Sequence, residues 1–333
     1  MKSNDTQQAL FAHIKGLVPS NVAMVDVIAE VLAISTDSAY RRIRGEKPIT
    51  LDELQTLAEH FKLSVDQILH LDSNNYLFTG KLANSSDFTY QNWLDSLSAY
   101  LQYFLSFNKN YLYYLAKEIT VYYYFLYPEI AAFKSFYFMK SILAYDSWKT
   151  MKFSVTDDYS QYYESMQKCN QLYCLIPSTE IWSIENITST LHQIEFMRIT
   201  GSLKSNDDAE VLLDRMLEII DHLELQAEYG VKLTRDQDPA TGKVPFRLFV
   251  NELLMGDNMQ IFQLDDKQMT LLNHSVINYI ITTDEAFNAY TKKTIDTICQ
   301  KSTLISGVNE KERLLFFNRL RAKVHAARKQ IAV

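Results

Sequence analysis

The sequence predicts a mostly α-helical protein, and three observations indicate this fold class. The chain of 333 residues contains 8 glycines and 6 prolines, so the residues that interrupt helices are scarce. Apolar residues recur at helical spacing in many segments of the chain. The hydrophobic fraction of 47% and the charged fraction of 22% are typical of a globular protein. This length is enough for two or three domains, each with its own core.

The N-terminal part of the chain carries the start and stop signals of a series of short helices. Residues 7–17 and 24–32 each place apolar side chains on one helical face. Ser35 is a suitable N-cap for a third helix. Gly45 follows that segment at the position where a left-handed residue commonly ends a helix. The signals therefore predict three consecutive helices before residue 46.

Two capping boxes extend this series. Thr50 and Glu53 precede the apolar series of a fourth helix, and Ser64 and Gln67 repeat the arrangement before a fifth. In a capping box the hydroxyl accepts from a backbone N–H while the acid or amide three residues later accepts from the cap's own N–H. The sequence therefore predicts a compact five-helix domain over residues 1–72.

The composition changes after this domain. The polar segment 73–87 is predicted to be a linker, and residues 88–333 are predicted to form a second, helical domain. Between residues 100 and 148 lie 18 of the chain's 42 aromatic residues, on segments predicted to be helices broken near Asn108 and Pro128. Aromatic stripes at this spacing indicate a core, and they also permit an apolar ligand pocket between helices.

The rest of the chain is predicted to be helical with one exception. Further helices are predicted at residues 157–175, 184–201, 207–228, 283–301 and 309–329. Apolar runs of strand length at 246–282 predict a small antiparallel β meander inserted among them. The last helix carries seven basic residues and one acid between Lys311 and Lys329. It is either a solvated amphipathic helix or a secondary anion-binding surface.

Charge and cysteine content limit the class of protein. A net charge of −7 argues against general coating of nucleic acid, although it permits a local basic patch. The three cysteines form no C-x-x-C pair, which is typical of free thiols in a reducing compartment. The first residues lack the apolar core of a signal peptide, and no uncharged run approaches the ~20 residues that span a bilayer. We expect a cytoplasmic protein with no membrane partner.

Residues 24–69 resemble the DNA-binding domain of the XRE, or lambda-repressor-like, helix-turn-helix family. The segments that carry the resemblance are "VIAEVLAIS", "TDSAYRRIRG", "ITLDELQTLAEHF" and "KLSVDQIL", in this order. The resemblance implies that residues 36–44 form the recognition helix. Ala33 stands where the turn often has glycine, and Arg42 occupies a position that is commonly apolar. The whole chain, with its aromatic-rich second half, is also similar to a group of bacterial regulators from Bacteroidetes-type genomes.

The resemblance implies a DNA-facing surface on the recognition helix and its exit loop. Such a helix exposes polar and basic side chains on one face and packs the other face inside, here through Ala39 and Ile43. The side chains predicted to face DNA are Ser35, Thr36, Asp37, Tyr40, Arg41, Arg44 and Lys47. Arg41 is the leading candidate for reading a base, because its planar guanidinium can donate two parallel hydrogen bonds to guanine O6 and N7 in the major groove. Arg44 and Lys47 are suited to phosphate contacts that fix the register.

Other roles stay open for this surface. Thr36 and Tyr40 could contact base edges or phosphates, and Asp37 would repel phosphate but could accept from a cytosine amino group. Basic residues near a helix C-terminus also interact favourably with the helix dipole while remaining solvated. Residues 1–70 contain seven basic and nine acidic side chains. The predicted domain therefore suits specific, locally charged contact rather than general polyanion binding.

We expect a sequence-specific transcriptional regulator that binds double-stranded DNA as a homodimer. Its C-terminal domain would supply dimerisation, sensing of a small-molecule or protein effector, or both. The alternatives are an interaction scaffold that keeps the helix-turn-helix fold without using it on DNA, and a sensor enzyme. The chain has no P-loop, G-x-G-x-x-G, G-x-S-x-G or H-E-x-x-H motif. The sequential proximity of His274, Ser275 and Asp284 is weak evidence for nucleophilic chemistry, so we expect no catalytic residue, metal site or cofactor.

Overall fold

The protein consists of two compact units, Met1–Leu77 and Phe78–Val333. The computed structural model describes residues 3–15, 17–18, 22–61, 63, 76–80, 89–252, 256–274 and 278–331. Each unit has its own hydrophobic core. Most of the predicted linker, 73–87, lies outside the described residues.

The N-terminal unit is made of short helices around a small apolar core. Its described helices are α1 (Ser3–Lys15), α2 (Met24–Val31), α3 (Thr36–Ile43) and α4 (Leu51–Phe61). The buried apolar residues of this core are Leu10, Phe11, Ile14, Ile28, Ala39 and Leu57. The predicted helical N-terminal domain is confirmed for these elements. The predicted fifth helix, with Ser64 and Gln67, lies outside the described residues.

The turn between α2 and α3 is formed by a residue that is uncommon in this conformation. Ala33 has a φ of +51°, in the left-handed region that glycine adopts without steric cost. The Ala33 N–H donates to Glu30 O at 3.1 Å and the Ile34 N–H to Ala29 O at 2.9 Å, the bond pattern of a Schellman motif. Alanine therefore keeps the turn that the family resemblance implies, at a cost of roughly 1 kcal/mol relative to glycine.

The C-terminal unit is built on a mixed β-sheet. Among the described residues its strands are β1 (Thr79–Gly80), β2 (Asn110–Leu115), β3 (Ser178–Trp182), β4 (Phe246–Val250), β5 (Met259–Leu264), β6 (Lys267–Asn273), β7 (Tyr279–Thr282) and β8 (Thr303–Leu304). Their order is β1-β7-β6-β5-β2-β3-β4-β8. The β2–β3 and β3–β4 pairs are parallel, and the other neighbouring pairs are antiparallel. The three parallel strands are adjacent and lie in the half of the sheet that ends at β8.

Helices cover both faces of this sheet. They are α5 (Tyr90–Leu105), α6 (Val121–Tyr124), α7 (Pro128–Tyr137), α8 (Ser160–Cys174), α9 (Thr188–Ile199), α10 (Asn206–Tyr229), α11 (Glu285–Gln300) and α12 (Glu310–Ile331). On one face, Ile295 of α11 packs against Ile181 and Ile261. The other face carries the large aromatic core, which α5 to α10 and α12 share with the sheet. In the described ranges no helix has the length and hydropathy that crossing a membrane requires.

Residues 88–333 were expected to be helical apart from one small meander, and this is wrong because an eight-stranded mixed sheet runs through the described part of the unit. Strand β2 lies in the aromatic segment that was predicted to be helical, and β3 lies between two predicted helices. Of the predicted meander at 246–282, β5, β6 and β7 are antiparallel neighbours as expected, whereas β4 pairs in parallel with β3. All five residues of β3 are buried, so this strand lacks the alternation of apolar and polar residues by which a half-buried strand is recognised.

A charged pair lies in the centre of the C-terminal unit. Glu180 of β3 accepts hydrogen bonds from the Tyr173 hydroxyl at 2.7 Å, the Ser178 hydroxyl at 3.1 Å and the Trp182 indole at 3.1 Å. Lys232 Nζ lies 3.8 Å from Glu180 Oε1 and 3.4 Å from the centroid of the Tyr173 ring. Burial lowers the pKa of Lys232 to about 8. The Tyr123 hydroxyl is a fourth neutral donor, at 3.5 Å, so hydrogen bonds from the protein replace the water that this buried carboxylate has lost.

The basic residues of the last helix are mostly paired within the unit. Arg321 donates to Asp221 at 2.7 Å and also to Glu224, and Arg328 donates to Asp214, three acids on α10. The Lys323 ammonium contacts Glu185 at 2.7 Å. Most of the charge of this helix is thus neutralised by acids on neighbouring elements. The hypothesis of an anion-binding surface between Lys311 and Lys329 gains no support from this arrangement.

Candidate nucleic-acid interface

Helix α3 has well-defined ends, which set the orientation of the predicted DNA-facing side chains. The Ser35 hydroxyl accepts from the Ser38 N–H at 3.3 Å, so the predicted N-cap is confirmed. At the other end Gly45 has a φ of +75°, and its N–H donates to Arg42 O at 2.9 Å. The Glu46 N–H donates to Arg41 O at 2.8 Å, which completes a second Schellman motif. The chain therefore leaves α3 in a hydrogen-bonded turn that carries residues 45–47.

The seven predicted side chains all lie on the exposed side of this element. The exposed residues are Ser35, Thr36, Asp37, Tyr40, Arg41, Arg44 and Lys47. Ala39 on the opposite side is fully buried, as predicted, whereas Ile43 is only half-buried. The second fully covered position is Arg42, with 4% of its surface exposed. The inward face of the helix therefore combines a small apolar residue with an arginine.

Arg42 connects α3 to α4 through a bidentate ion pair with Glu53. Its Nε donates to Glu53 Oε2 at 3.0 Å and its Nη2 to Glu53 Oε1 at 2.5 Å. A third guanidinium nitrogen donates to the Ser38 carbonyl at 3.1 Å and to the Ser38 hydroxyl at 2.7 Å. The Arg42 side chain is 5% exposed and that of Glu53 18%. The guanidinium thus occupies the inward position that the sequence resemblance led us to expect to be apolar.

Glu53 serves the ion pair and the start of α4 together. Its Oε2 accepts from the Thr50 N–H at 3.0 Å, while the Thr50 hydroxyl accepts from the Glu53 N–H at 3.2 Å. The predicted capping box is therefore confirmed. The hydrogen bond from Arg42 holds the pKa of the Glu53 carboxyl below its usual value. The sequence placed Arg42 at a commonly apolar position, but its pairing with Glu53, which lies 11 residues further along the chain, was not predicted.

Gln7 of α1 holds the loop that leaves the recognition helix. Its Nε2 donates to Arg42 O at 2.7 Å and to Lys47 O at 2.8 Å, and its Oε1 accepts from the Ile49 N–H at 3.0 Å. One side chain thus satisfies three backbone groups on both sides of the turn. This positions the Lys47 backbone, from which a basic side chain projects into solvent. Sequence reasoning missed Gln7, because its partners are 35 to 42 residues away in the chain.

The exposed face carries two arginines that share one acid. Glu46 lies 3.9 Å from Arg41 Nε and 3.7 Å from Arg44 Nη1. Arg44 also donates to the Tyr40 hydroxyl at 2.9 Å, and its guanidinium carbon lies 4.5 Å from the centre of the Tyr40 ring. The side chains of both arginines and of Glu46 are at least half exposed, so these ion pairs contribute little stability. They nevertheless reduce the positive potential of the surface.

Removing this acid is expected to strengthen binding to duplex DNA of any sequence. Glu46→Gln frees both arginines and removes a charge that repels phosphate, and we expect about two- to fivefold tighter binding at low salt. Fluorescence anisotropy with a labelled duplex, repeated at several salt concentrations, measures the effect. Glu59→Gln is the matched control, because Glu59 is an exposed acid on α4. An equal gain in this control would show that only net charge matters.

The residues considered for nucleophilic chemistry have other contacts. The Asp284 carboxylate accepts from the Phe287 N–H at 2.8 Å and so caps α11. His274 is exposed, and its N–H donates to Asn278 O at 2.9 Å. Ser275 lies outside the described residues. The hydrogen bonds of His274 and Asp284 thus belong to a loop and to a helix end.

The comparison with protein families agrees with the geometry of the N-terminal unit. A family model described as the BetR domain, a helix-turn-helix-like DNA-binding domain family, matches residues 20–84. The match includes α2, α3 and α4, and therefore all seven predicted DNA-facing residues. Searches of curated proteins and of solved structures return no match. The match to a BetR domain indicates a DNA-binding regulatory role for this chain.

Proposed function

We propose that the protein is a sequence-specific transcriptional regulator of the XRE-like helix-turn-helix type, with residues 36–44 inserted in the major groove. The observation that carries the proposal is the division of α3 into two faces. The inward face is fixed by Ala39 and by the Arg42–Glu53 pair. The outward face presents tyrosine and arginine side chains, the types that contact base edges and phosphates. The BetR match over the same residues supports the same role.

Each outward side chain has a role that suits its position. Arg41, near the middle of the outer face, would read a guanine, with Thr36 and Tyr40 contacting neighbouring base edges or phosphates. Arg44 and Lys47, at the helix end and in the exit loop, would contact phosphates and fix the register. Ser35 and Asp37 lie at the N-terminus of α3, with Ser35 as the N-cap. The N-terminal residues of a recognition helix contact base edges, and this is the role we propose for them.

The active species in this proposal is a homodimer in the cytoplasm. Proteins with this kind of domain bind as symmetric dimers, with recognition helices about 34–36 Å apart on half-sites one turn apart. The C-terminal unit would supply dimerisation, effector sensing or both, and it would not act as an enzyme. The mixed sheet with helices on both faces gives this unit a large core of its own.

Selection from a pool of random duplexes tests the proposal. We expect the full-length protein to enrich a short pseudo-palindromic sequence, because two copies of α3 would each read one half-site. Binding of the enriched duplex should exceed that of unrelated duplexes by at least 10³-fold, the lower range for specific binding proteins. An unenriched pool would contradict the proposal and favour the interaction scaffold. The scaffold would instead capture a protein partner that Arg41→Ala leaves bound.

A further inference from the structure

A large cavity lies in the C-terminal unit between α5 and the antiparallel half of the sheet. Its volume is about 820 Å³, within the range of sites for small molecules. It is lined by α5, by Tyr122 of α6 and by residues of β5, β6 and β7. At one side the ring of Phe104 stacks on that of Phe262, with 3.6 Å between the centroids.

The lining is aromatic and almost uncharged. The aromatic residues in it are Trp93, Tyr100, Tyr103, Phe104, Tyr122, Phe262 and Tyr279. Asp95 is the one ionisable acid or base among the described lining residues apart from the tyrosines, and it is exposed. Burial raises the pKa of Tyr279 to about 12, so its hydroxyl is neutral at physiological pH. No lysine or arginine among the described lining residues could compensate an anion, which makes phosphates and carboxylates poor ligands here.

Two features of the lining point to an occupant. Tyr122 is 9% exposed, and its hydroxyl makes no hydrogen bond to another described residue, whereas its backbone carbonyl accepts from the Asn170 amide at 2.9 Å. Its ring is held by stacking on Tyr173, with centroids 4.6 Å apart. Tyr100 and Tyr103, also in the lining, are 41% and 47% exposed. A bound molecule would cover these rings and could pair with the Tyr122 hydroxyl.

We propose that this cavity binds an uncharged organic molecule with an aromatic or fused-ring body and one hydrogen-bonding group directed at Tyr122. The aromatic side chains would contact the rings of the ligand, and the hydroxyl would orient its polar group. The site lies wholly within the C-terminal unit and does not depend on DNA binding. The ligand-site proposal and the DNA-binding proposal can therefore fail independently. Failure to select a DNA sequence would not affect the ligand site, and failure to bind a ligand would not affect DNA binding.

The test uses two fluorescent probes that differ by one charged group. N-phenyl-1-naphthylamine is uncharged and has one N–H donor, whereas 8-anilinonaphthalene-1-sulfonate adds a sulfonate to the same ring system. We expect the full-length protein to bind the uncharged probe at one site per chain, and to bind the sulfonate at least tenfold more weakly because the anion is uncompensated. Equal binding of the two probes, or binding at many weak sites, would overturn the proposal.

Three variants locate the probe. Ala99→Trp places a large ring at the cavity lining and should abolish binding, whereas Gln102→Trp, at an exposed α5 position outside the lining, should leave binding unchanged. Tyr122→Phe keeps the ring and removes the hydroxyl, so affinity should fall by about 2- to 12-fold, the effect of one neutral hydrogen bond. Thermal unfolding shows whether each variant is folded. If Ala99→Trp is unfolded, Tyr122→Phe decides, and unchanged affinity in that variant would refute the assigned orientation.

Discussion

Replacing Arg41 by alanine is expected to abolish the preference for the selected DNA sequence. A bidentate arginine–guanine contact provides about 1–3 kcal/mol of discrimination, which corresponds to a loss of roughly 5- to 150-fold in specific affinity. The fold should be unaffected, because the Arg41 side chain is 55% exposed and its 3.9 Å pair with Glu46 is accessible to solvent. Competition between the selected duplex and its single-base variants, at one fixed salt concentration, measures the loss. The reduced preference should map to one guanine in each half-site.

Lys47→Ala is the control that separates the loss of a base contact from the loss of a positive charge. It removes the same charge from the same surface, but we expect it to weaken binding to all duplexes alike and to make the salt dependence shallower. Arg41→Ala should change the ranking of sequences, whereas Lys47→Ala should preserve it. If both variants preserve the ranking, Arg41 contacts only the backbone and the sequence is read by other residues.

Replacing Arg42 by methionine is expected to destabilise the N-terminal unit by about 3–5 kcal/mol, the effect of leaving one partner of a buried ion pair alone. The variant leaves Glu53 without its bidentate partner, and it removes the two bonds to Ser38. A loss of this size is comparable with the whole stability of a small domain. Hydrogen exchange of the α3 and α4 amides in the full-length protein measures it. Exchange in α10 serves as the internal reference.

A double variant tests whether the unpaired Glu53 carboxylate causes the loss of stability in Arg42→Met. In Arg42→Met with Glu53→Gln, both charges are absent, and glutamine can still close the capping box with Thr50. We expect this variant to recover at least half of the lost stability. If it is as unstable as the single variant, the loss comes from packing and from the Ser38 bonds.

The same pair sets a pH dependence with a defined sign. Because Arg42 lowers the pKa of Glu53 in the folded state, the pair's contribution is complete above the unfolded-state pKa near 4.5. It is lost as the pH falls through the lower folded-state pKa, since the unfolded chain then binds a proton more readily. The protection factors of the wild-type α3 amides, calculated against the intrinsic exchange rate at each pH, should therefore fall in acid, and Arg42→Met should lack this step. An identical acid profile in both proteins would exclude the pair as its source.

The N-terminal unit could be predicted from sequence because its signals are local. Ser35, Gly45 and the Thr50–Glu53 box act on backbone groups within three residues, and the structure has each of them as expected. The exposed face of α3 also follows from helical periodicity once Ala39 is placed inside. Arg42 and Gln7 could not be assigned in this way, because their partners are 11 and 35–42 residues away.

The C-terminal unit was predicted less well because its strands depend on distant neighbours. Strand β2 pairs with β3 and with β5, segments that follow it by more than 60 and 140 residues. A short apolar or aromatic run has no periodicity that separates a buried strand from a buried helix. The meander β5–β7 was found because its strands are consecutive and joined by short turns, whereas β4 joins the sheet through a parallel pair.

The sequence by itself determined the helical N-terminal unit, the position of α3 within it and the set of polar side chains that α3 can expose. Those features follow from capping and from a 3.6-residue period, which neighbouring residues specify. Tertiary structure alone decided that Arg42 is buried against Glu53, that Gln7 holds the exit loop, and that three adjacent parallel strands form part of a mixed sheet in the second unit. It also decided that the aromatic segment lines a cavity as well as a core. Each of these depends on contacts between residues far apart in the chain, which local pattern does not encode.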